Sequence, residues 1–282
     1  MKVISDSKVE LVGHTTFVEH SEYDVPADGV EIERLGAFAA KGCYDSYGID
    51  GRACVENQQE VIEHLHGSVL EHSTATIFIE GVTRALSLEL NRHRPFAISQ
   101  RSTRFTKEED SAIVLEPYYA EVWNKYDLYW NDSVDAICTT REGGRLASMV
   151  WDLKSNPELE LVIDFINAAY DSVFCYGEQV EGLIAMNPLQ LEGFGLRKWA
   201  RGKARNILPH ALETRGTYTA NFRAWRWFIE VRSSRHAEPE IRRLAEKVYA
   251  VLKPLAPVYF ADFQLKEIVD GIPEYAPKHH KV

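Results

Sequence analysis

Apolar residues recur at helical spacing through most of this chain, and only a few runs keep the two-residue alternation of a strand. Ile32, Leu35 and Phe38 predict an early helix, and Val55, Ile62 and Leu65 predict a second one after Gly51. The stretch Ser73 to Glu80 is rich in β-branched and aromatic residues and predicts a strand, which Gly81 should break. Thr83 can then cap a helix running through Leu86, Leu90 and His93. Pro157 suits a helix start, and Val162, Ile163, Ile166, Tyr170 and Val173 form an amphipathic stripe behind it. A further helix is expected from about Thr219 to Ser234, and a last one from Pro239 with Ile241, Leu244, Val248 and Leu252 inward. The tail from Gly271 to Val282 is rich in Pro, His and Lys and is expected to fray. No repeat or low-complexity linker divides the chain, so the pattern predicts a single α+β domain over residues 1–282, with long helices and a few strands.

Composition narrows the class. With 282 residues, 45% hydrophobic and 26% charged, the chain can bury a core and is not disordered. Its first residues lack the apolar centre of a signal peptide, and no run is long enough to cross a bilayer, so a cytoplasmic protein is expected. Cys43, Cys54, Cys138 and Cys175 are far apart, which predicts reduced, mostly buried thiols rather than a zinc or redox pair. His14, His20 and His64 lack ligand spacing, so no metal site is expected.

The net charge of −10 argues against a general nucleic-acid binder. Yet arginine is concentrated in three stretches: Arg92, Arg94, Arg101 and Arg104; Arg197, Arg201 and Arg205; and Arg223, Arg226, Arg232 and Arg235. Such clustering in an acidic chain suits a small anionic ligand, because a guanidinium fork matches phosphate geometry. Pairing with glutamates on helix surfaces is the plainer account, weakest for the first stretch. There Pro95 should end the preceding helix, leaving a loop of Ser, Thr and Gln donors between arginines, the usual equipment for holding phosphate. In the third stretch Asn221, Trp225, Phe228 and Arg232 share one helical face, and an arginine in line with an apolar stripe needs a polar or anionic partner. A snorkelling arginine at a helix end is the bland alternative to one aimed at a substrate.

These residues also carry a resemblance. Arg92-His93-Arg94, seven residues, then Ser102, with Glu89 before and Arg104 after, resembles the defining motif of the flavin-dependent thymidylate synthases. Upstream, His66-Gly67-Ser68 with Glu71-His72 resembles the family's segment ahead of its strand. Downstream, Arg205-Asn206-Ile207-Leu208-Pro209, Thr219-Ala220-Asn221-Phe222-Arg223, Arg232 and Ala237 to Arg242 follow in the family's order. The motif blocks cover 66–105 and 205–242. Arg101, Phe105, Trp227 and the Arg94-Pro95 pair depart from the residues usual in the family.

The resemblance implies a small, mostly antiparallel sheet among long helices, assembled as a homotetramer whose active sites are shared between subunits. It implies reductive methylation of dUMP to dTMP, with FAD as cofactor and 5,10-methylenetetrahydrofolate and NADPH as co-substrates. Carried over by position, dUMP would be held by Glu89, Arg92, Gln100, Arg101, Ser102, Thr103, Arg104, Arg205 and Arg232. FAD would be held by Ser68, Arg92, His93, Arg94, Gln100, Asn221, Arg223 and Trp227. Arg232 would be catalytic, polarising the uracil ring in place of the cysteine nucleophile the family lacks. Ser102 would bind substrate only, because no base pattern lies beside it to activate a nucleophile. The absence of a G-x-G-x-x-G or P-loop pattern agrees with flavin binding outside a Rossmann unit. A hydroxymethylase on the same fold, a flavin-free scaffold and a nucleic-acid-binding module are the rival readings.

Overall fold

The computed structural model describes residues 2–133, 136–139, 156–280 and 282. Along the chain the strands are β1 (Val3–Ile4), β2 (Lys8–His14), β3 (Thr74–Thr83), β4 (Ala97–Gln100), β5 (Ile113–Val114), β6 (Leu128–Asn131), β7 (Ala136–Thr139), β8 (Glu213–Asn221), β9 (Phe263–Val269) and β10 (Ile272–Pro277). The helices are α1 (Glu31–Gly42), α2 (Cys54–Glu63), α3 (Arg84–Leu90), α4 (Pro117–Lys125), α5 (Pro157–Met186), α6 (Gly193–Ala204), α7 (Phe222–Arg232) and α8 (Pro239–Leu252). No helix among the described residues is long and apolar enough to cross a membrane.

The chain divides into two compact units, each assembled from separated segments. The first comprises Met1–Ser7, Glu80–Glu89 and Gln100–Arg215, and the second Lys8–Ile79, Leu90–Ser99 and Gly216–Val282. In the first unit β1 pairs with β5 in parallel, and β6 pairs with β7 antiparallel from Leu128↔Thr139 to Asn131↔Ala136. Its principal helix is α5, begun by Asn156, whose side chain accepts from Glu158 N, with Pro157 in the first turn. Leu159, Val162, Ile163 and Ile166 form the buried stripe and pack with Trp123, Leu128 and Ile137. Tyr176 and Val180 extend that stripe onto Ala200 and Ala204 of α6. The helix ends at Asn187, whose φ of 36° is the left-handed conformation asparagine tolerates at a helix end.

The second unit is built on α7 and α8. Phe222, Trp225, Phe228 and Ile229 are wholly buried along α7, as are Ile241, Leu244, Ala245, Val248 and Leu252 along α8. A four-stranded sheet has the order β2-β3-β8-β4, and β9 pairs antiparallel with β10 through a bulge at Glu274/Tyr275. The Trp225 indole donates to the Ala75 carbonyl of β3 at 3.1 Å, so the large ring is buried with its polar atom satisfied.

Several sequence expectations shift. Gly81 does not break β3, which continues to Thr83. Gly81 adopts φ +70°, where a side chain is disfavoured, and a Cβ there would lie 3.3 Å from the Asp6 carbonyl. Thr83 does cap α3, its hydroxyl accepting from Leu86 N at 2.9 Å, but the helix stops at Leu90 rather than His93. Tight turns replace its last part: His93 N donates to Leu90 O, and Phe96 N to His93 O. The expected loop after Pro95 is in part strand β4, at the sheet edge beside β8. Residues 219–221 close β8 instead of opening α7, and Asn221 caps that helix by accepting from Ala224 N. The tail is not frayed over Ile272–Pro277, where β10 buries Ile272, Pro273 and Glu274. Of the cysteines, Cys54 and Cys138 are buried and Cys43 and Cys175 exposed, all four unpaired thiols. Burial pushes the Cys54 thiol up to about 11, which keeps it protonated and poorly nucleophilic.

Candidate active site

The first unit carries Glu89, Gln100, Arg101, Ser102, Thr103, Arg104 and Arg205; the second carries Ser68, Arg92, His93, Arg94, Asn221, Arg223, Trp227 and Arg232. In the first unit, the short turn after β4 is pinned from several directions. Arg101 N donates to Arg215 O, and the Ser102 carbonyl accepts from Phe105 N, Thr106 N and Thr106 Oγ1. Gln100 is oriented by donating from Nε2 to Thr214 Oγ1 at 3.1 Å.

Arg101 turns inward. Its guanidinium lies 3.0 Å from Glu213 and 3.2 Å from Glu108, and also donates to Ser111 Oγ at 2.8 Å. Glu108 is itself held by Ser111 and Thr106, so the group is a buried ion-pair network within the unit. The Ser102 hydroxyl accepts from Arg104 N at 3.4 Å, and no side-chain base reaches it among the described residues.

A cavity of about 400 Å³ opens beside this turn, and Thr103 and Arg205 both line it. Arg84 and His210, which sequence reading missed, complete its polar wall, with Leu88 on the apolar side. Burial lowers the affinity of Arg84 for its proton, and the nearby charges of Arg205 and Arg101 act in the same direction against the opposing pull of Glu108. An anion placed between Arg84 and Arg205 relieves that repulsion, and guanidinium forks suit phosphate oxygens. The signal for Arg84 was available in the sequence: it stands directly after the Thr83 cap, four residues before Leu88 on the same helical face.

In the second unit, His93 is 1% exposed and enclosed by the rings of Trp227 at 4.8 Å, Phe228 at 5.1 Å and Phe96 at 5.5 Å. Its Nε2 accepts from Arg232 Nε at 2.9 Å. Burial, with the Arg232 charge second, pushes the His93 ring down to about 4, so it is neutral near pH 7. The rest of the third arginine stretch is mostly structural. Arg226 is buried, pairs with Asp262 at 2.7 Å and donates to the Tyr259 carbonyl; Arg235 pairs with Glu267. Arg223 pairs with Glu71 at 2.6 Å, and Arg92, Arg94 and the 46% exposed Trp227 face outward.

The family model described as thymidylate synthase complementing protein matches residues 27–258. The flavin-dependent thymidylate synthase of Mycobacteroides abscessus is 34% identical over 278 residues, covering 96% of this chain and 95% of that protein. The enzyme of the same name from Mycobacterium avium is 33% identical over 274 residues, covering 96% and 95%. This chain belongs to the flavin-dependent thymidylate synthase family. Its fold agrees with a solved structure, the UMP/dUMP methylase PolB from Streptomyces cacaoi bound with 5-Br dUMP, at a TM-score of 0.61 and 18% identity over 93% of this chain and 97% of that one.

The second unit of this flavin-dependent thymidylate synthase relative can accommodate a large phosphate-bearing cofactor. Ser68 lines a cavity of about 720 Å³, within the range of small-molecule sites, whose wall also carries Lys41, Arg52, His64 and His66. Gly67 beside it lets the backbone of Val282 and the Arg223 side chain approach closely: a Cβ there would lie 2.5 Å from the Val282 carbonyl carbon and 2.9 Å from Arg223 Nε. Lys41 donates to the Arg52 carbonyl, and Arg52 and His64 lie against Glu60 of the same wall, so it is the size of the cavity, with Ser68 and His66 on its wall, that fits FAD. Among the residues expected to hold it, however, His93 and Asn221 direct side-chain atoms inward, to Arg232 and to the α7 N-terminus.

Proposed function

We propose that this protein reductively methylates dUMP to dTMP, with 5,10-methylenetetrahydrofolate as carbon donor and NADPH as reductant. The observation that supports it most is the cavity at the turn after β4. It brings Thr103 and Arg205, two of the residues inferred from the motif, together with a second arginine. Among the described residues, neither Arg84 nor Arg205 has a side-chain hydrogen bond or ion pair within the protein. A nucleotide phosphate supplies the missing counter-charge.

On this reading Arg84, Arg205 and Thr103 bind the phosphate, while Gln100, Ser102 and Arg104 complete the nucleotide site. Arg101 contributes by bracing the turn through Glu213 and Glu108. Ser68, Arg94, Arg223 and Trp227 hold FAD, which when bound in its reduced form supplies the hydride. Arg232 lends a fixed positive charge to the uracil ring as N3 ionises, which activates C5 towards the methylene group without a cysteine nucleophile. The same reading has Glu89 and Arg92 serve a neighbouring subunit's site in a cytoplasmic homotetramer. Incubation with dUMP, methylenetetrahydrofolate, NADPH and FAD, resolved by mass, tests the reaction. dTMP is expected, and a product heavier by one oxygen would mark a hydroxymethylase instead.

A further inference from the structure

The contact between His93 and Arg232 is part-buried and made within the protein. Its geometry is specific. Arg232 stands at the last turn of α7 and His93 in the turn following α3, 139 residues apart in sequence, yet Nε and Nε2 meet at 2.9 Å. The imidazole cannot swing, because Phe96, Trp227 and Phe228 close on its faces and edges. Arginine Nε can only donate, so Nε2 must be the bare nitrogen and the ring proton must reside on Nδ1. Nδ1 is buried and has no hydrogen-bond partner among the described residues. Leaving a buried N–H unmatched costs stability. Among the described residues, the bond from Arg232 to Nε2 is the one hydrogen bond that the ring nitrogens make.

We propose that His93 is a positioning residue for Arg232: a rigid, neutral acceptor that fixes the guanidinium plane by holding Nε. The inference rests on the proposed role of Arg232 at the uracil ring and replaces the expectation that the His93 side chain holds flavin. A guanidinium turns about its Cδ–Nε bond, and a long side chain loses its aim readily. Gripping Nε restricts that freedom, and a neutral acceptor brings no counter-charge of its own. A carboxylate in the same place would fix the group equally well but would neutralise the charge the uracil ring needs.

The test compares His93→Phe, which keeps a ring but no acceptor, with His93→Gln, whose amide oxygen can accept in place of Nε2. Purified variants are assayed for bound flavin by absorbance, for dUMP binding, and for kcat. His93→Phe is expected to retain flavin and dUMP binding while kcat falls about 100-fold, the scale of a misplaced catalytic group, and His93→Gln to recover to within about tenfold. In an Arg232→Ala background, His93→Phe should cost nothing further. Loss of flavin from His93→Phe, with normal kcat after reconstitution, would overturn the proposal in favour of cofactor binding. So would equal losses in both variants that multiply with Arg232→Ala. Full activity of Arg232→Ala alone would instead sink the role of Arg232, and the positioning role with it. If His93→Phe does not fold, flavin content and kcat of His93→Gln and His93→Asn decide the matter, with only the former expected to remain active.

Discussion

Arg101 and Glu213 meet at 3.0 Å although 112 residues separate them, and Glu108, 1% exposed, lies against the same guanidinium. An arginine at this point of the motif resembles a phosphate ligand in sequence, but its fork is taken up by two carboxylates. Removing it strands two buried charges. Arg101→Ala should therefore lower unfolding free energy by about 3–5 kcal/mol, the cost of breaking a buried ion pair from one side. Urea unfolding measures this directly. A variant of unchanged stability with a raised KM for dUMP would return Arg101 to the nucleotide.

Arg84 and Arg205 should behave in the opposite way. Each lines the cavity with Thr103, and Arg84 is already disfavoured as a cation by burial and by its arginine neighbours. Arg84→Ala and Arg205→Ala should leave the fold intact and weaken dUMP binding by about 10–100-fold, the worth of one charge-assisted hydrogen bond of about 1.5–3 kcal/mol. Binding of deoxyuridine, which lacks the phosphate, should hardly change. Calorimetric titration with both ligands separates a phosphate role from a general loss of shape.

His93 predicts a pH dependence of stability. Its folded value is about 4 against an ordinary 6.5, so between those values the unfolded chain binds the proton more readily. Stability from this group is complete above pH 6.5 and is lost as pH falls towards 4. Between pH 7 and pH 5 the loss is about 2 kcal/mol, because each tenfold difference in proton affinity is worth about 1.4 kcal/mol. Urea unfolding of the wild type and His93→Gln at both pH values should show that difference in the wild type alone.

Asn221 caps α7, and the cap separates a structural role from the flavin contact that the motif implies. Its side chain accepts from Ala224 N at 2.9 Å and caps α7, the helix that carries Trp227 and Arg232. Asn221→Ala should cost about 1 kcal/mol as a lost cap, and Asn221→Ser or Asn221→Asp should restore most of it. If Asn221 acts through the cap alone, bound flavin will follow stability across the three variants. Flavin lost in Asn221→Ser at wild-type stability would show a direct contact.

Much of the chain was legible from the order of its residues. The stripe behind Pro157, the Pro239 helix and the run from Ser73 become α5, α8 and β3 because helix and strand periods are local properties of which residues are apolar. The motif likewise named Thr103, Arg205 and Arg232 from order and spacing. What local pattern could not decide was where each charge finds its partner. Arg101 and Arg226 are drawn inward by Glu213 and Asp262, 112 and 36 residues away, whereas Arg84 and Arg205 reach a shared cavity. Nor could it show that Ala97–Gln100 forms a strand, since four residues become one only when a sheet edge lies open beside them. The sequence by itself determined the helices that start at Pro157 and Pro239, the strand from Thr74 and most of the cations, Arg84 excepted. Only the tertiary structure decided which of them are matched, because ion pairs and strand pairing depend on distance in space, which folding sets.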